Sequence, residues 1–323
     1  MHESATIRVG VVIPCYRVKN QILDVIARIP QAAVEKIYVI DDSCPEETGN
    51  YVLANVTDPR IVVITHAVNQ GVGGAMVSGY LAAIADGIDI IVKIDGDGQM
   101  NPALLPTFIA PIAEGRADYT KGNRFFELES LRSMPTIRLM GNAALSLINK
   151  LSTGYWDIMD PTNGYTAIHA RIARRIPLPK LSKRYFFESD ILFRLGTLRA
   201  VVVDIPMDAV YRGEPSSMLV KYVALDFMGK YISRIFKRIF YSYFLRDFNA
   251  GTVMTLLGST LFLFGFVWSL THWINSLSMG VAATSGTVMV GALPILIGGH
   301  LLISAVNFDI ANVPRRCIHK LLD

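Results

Sequence analysis

The first hundred residues alternate short apolar runs with stretches in which apolar positions recur every three or four residues. Ile7 to Pro14 is a β-branched run closed by proline, the pattern of a buried strand. Asn20 to Ile29 sets Ile22, Val25, Ile26 and Ile29 at helical spacing, and Pro30 ends it. Val34 to Ile40 and Arg60 to Thr65 predict two further strands. Asn69 to Asp86 predicts a Gly-rich turn leading into a helix, and Ile88 to Ile94 a mainly apolar fourth strand. Strands alternating with helices at this spacing predict an α/β fold with a mostly parallel sheet. From Met100 to about Pro215 the pattern is less regular, with a basic stretch, a Pro/Gly-rich loop at Asp160 to Tyr165 and a strand at Ala200 to Ile205.

The pattern then changes twice. Met218 to Phe248 interleaves Lys221, Lys230, Arg234, Lys237, Arg238 and Arg246 with aromatic and aliphatic residues, which predicts amphipathic helices on an anionic membrane surface. Thr252 to Ile274 and Thr284 to Phe308 carry no charged side chain and are long enough to cross a bilayer core of about 30 Å. Asn275 to Ala283 has no Lys or Arg, whereas Arg246 precedes the pair and Arg315, Arg316 and Lys320 follow it. The positive-inside rule therefore predicts a transmembrane hairpin with both ends cytoplasmic. The expected organisation is an α/β domain at 1–217, juxtamembrane helices at 218–250, two transmembrane helices at 251–310 and a basic cytoplasmic tail at 311–323.

Composition sharpens this picture in two places. Hydrophobic residues make up 51% of 323, and the excess lies after Gly251. The net charge of +4 comes with no Lys/Arg block or nucleic-acid motif, so no nucleic-acid partner is expected. Three cysteines without metal-ligand spacing fit a reducing compartment. Met1 to Arg8 is polar and the apolar run after it too short for a signal peptide.

The chemistry is expected at strand ends, where open α/β sheets bind ligands. Asp95, Asp97 and Gln99 follow the fourth strand, and oxygen donors at alternate positions can converge on Mg²⁺ or Mn²⁺ shared with substrate phosphates. Asp41 and Asp42 follow the second strand. One carboxylate there can accept from a nucleobase or ribose, and an Asx-turn capping the next helix is the alternative. Asn69 to Ala75 is glycine-rich but follows the third strand without the acidic partner of a dinucleotide fold, so its glycines are read as structural.

In order, Pro14 and Tyr16, Asp41-Asp42-Ser43, Asn69-x-Gly71-x-Gly73-x-Ala75, Asp95-Gly96-Asp97-Gly98-Gln99 and Gly122-Asn123-Arg124-Phe125 resemble the family-2 inverting glycosyltransferases. Within that family the sequence is similar to the branch of dolichol-phosphate mannose synthases and bacterial polyprenyl-phosphate glycosyltransferases. The resemblance spans roughly Val9 to Ser217. It implies a GT-A fold and an integral enzyme of a bacterial inner membrane with its catalytic domain cytoplasmic. It further implies a nucleotide-sugar donor, a polyprenyl phosphate acceptor and membrane lipids as partners, with a possible homo-oligomer through the transmembrane region. Pro14, Tyr16, Asp41, Asp42, Asp95, Gly96 and Asp97 would bind the nucleotide sugar, and Asp95, Asp97 and Gln99 the metal. Arg124, Arg138, Asn142 and Arg212 would hold the lipid phosphate. Asp97 is implied as catalytic, and in many relatives a carboxylate near Glu188 and Asp190 acts as base. Where relatives carry Asn-Glu after the tyrosine, Arg17 and Val18 stand here, which favours a uridine over a guanosine donor. The competing expectations are transfer to a hydroxyl of a lipid-linked glycan and a non-catalytic membrane scaffold.

Overall fold

A computed structural model describes residues 6–126, 136–208 and 220–322, with the side chains at 136–140, 142 and 220–225 left aside. The chain forms two compact units, 1–234 with 314–323, and 235–313.

In the first unit, β1 (Val9–Cys15), β2 (Lys36–Asp41), β3 (Ile61–Thr65) and β4 (Ile90–Lys93) pair in parallel, as the β-branched runs predict. The remaining strands are β5 (Tyr119–Asn123), β6 (Thr166–His169) and β7 (Val202–Pro206), and the order is β3-β2-β1-β4-β6-β5-β7. β6 runs antiparallel to both neighbours, so the sheet is mixed. The chain walks outward from β1 to β3 and then returns to the other side of β1 with β4. That reversal opens a crevice at the carboxyl ends of β1 and β4.

The helices are α1 (Ile22–Ala27), α2 (Thr48–Asn55), α3 (Val72–Ala85), α4 (Leu105–Ala113), α5 (Thr136–Thr153), α6 (Ala170–Arg175) and α7 (Phe187–Leu198). Ile22, Val25 and Ile26 of α1 join Leu105, Phe108 and Ile112 of α4 against the strand residues Val11, Ile13, Val39 and Val92, all but fully buried. Phe108 stacks on Tyr165 with centroids 4.0 Å apart. α3 approaches β1 closely because it presents Gly79, where a Cβ would strike the Val12 side chain. The tail at 314–323 completes this unit. Fully buried Asp118 accepts from the backbone N–H of Ile318 and His319, from Val201 N at 2.8 Å, and pairs with His319 Nδ1 at 2.6 Å. His319 stacks on His169, centroids 4.4 Å apart. Burial, then the neighbouring His319 and Arg171, push His169 down to about 4, against smaller opposing pulls from Asp89 and Asp118.

The long helix α8 (Val220–Phe240) fills the predicted amphipathic stretch, and its residues up to 234 belong to the first unit. Arg234 Nε donates to Asp190 at 2.8 Å, and Tyr231 shares a 2.6 Å hydrogen bond with Ser189.

The second unit is a hairpin of α9 (Ala250–Met279) and α10 (Ser285–Ala311), each long and apolar enough to cross a membrane. Asn249 and Thr252 form a capping box at the start of α9. The two helices approach at Gly258 against Gly298 and at Gly265 against Gly291, where a side chain would meet backbone. Arg238 donates twice to Asp309 at 2.9 Å, and Tyr243 joins the same carboxylate. α9 runs farther than its uncharged core predicts, taking in Asn275 to Met279 of the expected loop. Gly280, at φ +66°, stops it, since that left-handed conformation favours glycine.

Candidate active site

A cleft of about 1130 Å³ opens at the crevice between β1 and β4. Pro14 and Tyr16 reach it from the end of β1, Asp42 from β2, and Asp95, Gly96 and Asp97 from β4. Asn69, Gly71, Thr162 and Glu188 also line it. Its other wall is apolar: Ala144, Leu145 and Ile148 of α5 face Phe227, Met228 and Tyr231 of α8. A polar, acidic end and an apolar slot are therefore continuous within one unit.

The two aspartates after β2 divide the roles that their sequence leaves open. Asp41 accepts from Cys44 N at 2.7 Å and Gly49 N at 2.6 Å, so it closes an Asx-turn and caps α2. Among the described residues it does not line the cleft. Asp42 does, while also accepting from Gln70 N, Gly71 N and His66 Nδ1 at 2.7–2.8 Å. These bonds fix the glycine loop. The glycines themselves admit the 182–184 backbone: Gly73 N donates to Lys183 O at 2.8 Å, and a Cβ on Gly71, at φ +82°, would sit 2.6 Å from that oxygen.

Asp95 and Asp97 offer hard oxygen donors in the cleft, the set that suits Mg²⁺ or Mn²⁺. Gly164 makes the cradle, because a Cβ there would collide with Asp95 Oδ2. Asp97 Oδ1 accepts from the backbone of Gln99 at 2.9 Å, and Gln99 does not itself line the cleft among the described residues. The residues present fit a divalent cation.

Lys93 is the residue the strand pattern does not single out. It is buried at the end of β4, with Nζ 2.8 Å from Asp95 and 3.2 Å from Glu188. Burial opposes its charge, but Asp95 and Glu188 outweigh that and hold it protonated. Burial raises Glu188, and Lys93 partly offsets this. The signal was one lysine closing an otherwise apolar strand two residues before Asp95. Arg17 and Arg184 also line the cleft and bring positive charge to it.

Other implied residues lie elsewhere. Asp190 is fully buried, outside the cleft lining, and holds Ser182 N at 2.9 Å besides Arg234. Arg124 makes a bidentate pair with Asp160 at 2.7 and 2.8 Å, also outside the lining. Burial opposes the charge of Asp160, yet Arg124 and Lys121 hold its carboxyl below the usual range. The side chains of Arg138 and Asn142, and the whole of Arg212, lie outside the described residues.

Acidic side chains at the carboxyl ends of a mixed, mostly parallel sheet, beneath an open cleft, are the arrangement of the GT-A class of transferases. The family model described as Glycosyl transferase family 2 matches residues 10–176, and the chain belongs to that family as a glycosyltransferase. Undecaprenyl-phosphate mannosyltransferase of Micrococcus luteus is 31% identical over 208 residues, covering 64% of this chain and 84% of that protein. UDP-N-acetylglucosamine–dolichyl-phosphate N-acetylglucosaminyltransferase of Methanococcus voltae is 26% identical over 213 residues, 62% of this chain and 84% of that protein. Glucosyl-3-phosphoglycerate synthase of Mycobacterium tuberculosis, solved with Mn²⁺, UDP and phosphoglyceric acid, superposes with a TM-score of 0.53 at 18% identity, over 75% of this chain and 81% of that one. That likeness shows the GT-A fold.

Proposed function

We propose that the protein transfers a sugar from a UDP-sugar to a polyprenyl phosphate, with inversion, at the cytoplasmic face of a bacterial inner membrane. The observation that carries this is the joined cleft: one end is acidic and fits a metal-bound diphosphate, and the other is an apolar slot between α5 and α8 that fits an isoprenoid chain. The named acceptors of the Micrococcus and Methanococcus relatives, undecaprenyl and dolichyl phosphate, agree with it.

A divalent cation, when bound at Asp95 and Asp97, supplies positive charge against the departing nucleoside diphosphate. Tyr16 and Asp42 flank the nucleoside end of the cleft. Lys93 keeps Asp95 and Glu188 from repelling each other and fixes both rotamers. A phosphate monoester has a second pKa near 6, so the acceptor arrives ionised and needs little help from a base. We therefore assign Asp190 to anchoring α8 through Arg234. Since Arg124 is engaged by Asp160, we place the phosphate contacts first on Arg17 and Arg184, with Arg138, Asn142 and Arg212 completing them. Losing a charge-assisted contact costs about 1.5–3 kcal/mol. Arg184→Ala should thus lower kcat/KM about tenfold to a hundredfold, with partial rescue by lysine. Steady-state kinetics over a short polyprenyl-phosphate series check this.

The first unit contains chain from both sides of the hairpin, which supports the same membrane side for both ends. Reporters fused at Asp323 and inserted at 280–284 should report opposite compartments. Screening nucleotide sugars with purified protein, short polyprenyl phosphate and Mg²⁺ or Mn²⁺ tests the activity. Transfer only to a glycan hydroxyl, with none to the phosphate, would overturn the acceptor class.

A further inference from the structure

We infer that the outward face of α10 is a seam that pairs with α10 of a second copy of this chain. The inference rests on the reading that α9 and α10 span the bilayer. At about 1.5 Å rise per residue, His300 lies about 22 Å along a helix of about 40 Å. That is within a few ångströms of mid-depth in a core of about 30 Å. The ring is exposed on the hairpin surface and makes no hydrogen bond or ion pair with any described residue. An imidazole there has neither water nor a partner, and polar groups at such depth are costly unless another helix satisfies them.

The surrounding positions say what that helix is. Leu293, Leu296, His300, Ile303, Asn307 and Ile310 recur at alternating steps of three and four, the a and d positions of a heptad, and all are exposed. The opposite face is already used, because Gly291 and Gly298 pack against α9. Two copies inserted the same way bring their α10 helices together in parallel, so each residue meets its own counterpart at the same depth. A neutral imidazole has one donor and one acceptor, and an amide has both. His300 therefore satisfies His300, and Asn307 satisfies Asn307, across a twofold axis. A polar residue at an a position fixes register and copy number. A helix from a different protein would need matching polar groups at the same two depths.

Single-cysteine variants of the full chain in native membranes test this in a Cys317→Ser background, since Cys15 and Cys44 are buried. After copper-phenanthroline oxidation, Leu296→Cys, His300→Cys and Ile303→Cys should give a dimer twice the chain mass. Leu301→Cys, which packs towards Gly258, should give none. In a detergent energy-transfer titration His300→Leu should weaken the dimer about threefold to fifteenfold. Absence of the dimer in carbonate-resistant membranes overturns the seam. Equal yield at Leu301, or an adduct of another mass, does so too. Release of the chain by carbonate overturns the spanning reading as well, which separates the two failures.

Discussion

Asp97→Ala should leave a folded protein whose sugar transfer falls by about a hundredfold to a thousandfold or more. The side chain sits in a surface-reaching loop after β4 rather than in the apolar core, so its removal creates no cavity. On the proposed mechanism it removes a hard oxygen ligand of the cation that offsets charge on the leaving diphosphate. Chelator should mimic the variant in the wild type, and Mg²⁺ or Mn²⁺ should restore activity. Electron paramagnetic titration with Mn²⁺ gives a readout independent of turnover: the variant should bind the ion more weakly. Full activity in excess chelator would sink the assignment. Asp41→Ala is the contrasting case, since its two backbone bonds hold the start of α2. Its cost should appear in stability before metal binding.

The largest effect on stability should come from Asp118→Ala. Its carboxylate lies at zero exposure and accepts from Val201, from two tail amides and from His319 Nδ1. Removing it strands several buried donors at once, a loss of about 3–5 kcal/mol. For a unit of this size that lowers Tm by about 6–20 °C. Thermal unfolding in detergent measures it, and limited proteolysis after Val313 should show the tail released. A Tm within a degree of wild type would show that the tail contributes nothing.

The same cluster sets a pH dependence. His169 has a folded pKa of about 4 against an ordinary 6.5. Below pH 6.5 the unfolded chain takes up a proton that the folded one refuses, so stability falls as pH drops towards 4. Asp118, held below its ordinary value despite burial, by His319 and backbone donors, adds its own loss further down. His169→Asn keeps an N-cap acceptor for Arg171 N but does not titrate. It should flatten the slope between pH 6.5 and 4.

Much of the fold was legible because β1 to β4 are β-branched runs separated by helical spacing or turns. β5 was not. Its sequence, Tyr-Thr-Lys-Gly-Asn, is polar, yet it is buried throughout because Lys121 Nζ donates to the carbonyls of Gly122, Met159 and Asp160. Nothing in a local pattern announces a lysine satisfied by a loop nearly forty residues away. That the acidic strand ends of β2 and β4 meet at one cleft was legible for the same reason the strands were. The pairings of Asp190 and Arg124 were not, because their partners Arg234 and Asp160 arrive from distant segments. A titratable side chain read in isolation carries no record of who neutralises it.

The tail that docks on Asp118 also fixes the order in which the molecule can be made. Residues 314–323 belong to the unit whose first strand is β1, yet the ribosome delivers them only after both hydrophobic helices. At about 5–20 residues per second, β1 is finished many seconds before the strip that seals Asp118. The catalytic unit must therefore wait, one buried carboxylate still wet, until the hairpin has been synthesised. Completion of that unit becomes a check that the hairpin was delivered, and a version truncated before the hairpin to gain solubility would lose that seal together with both apolar helices.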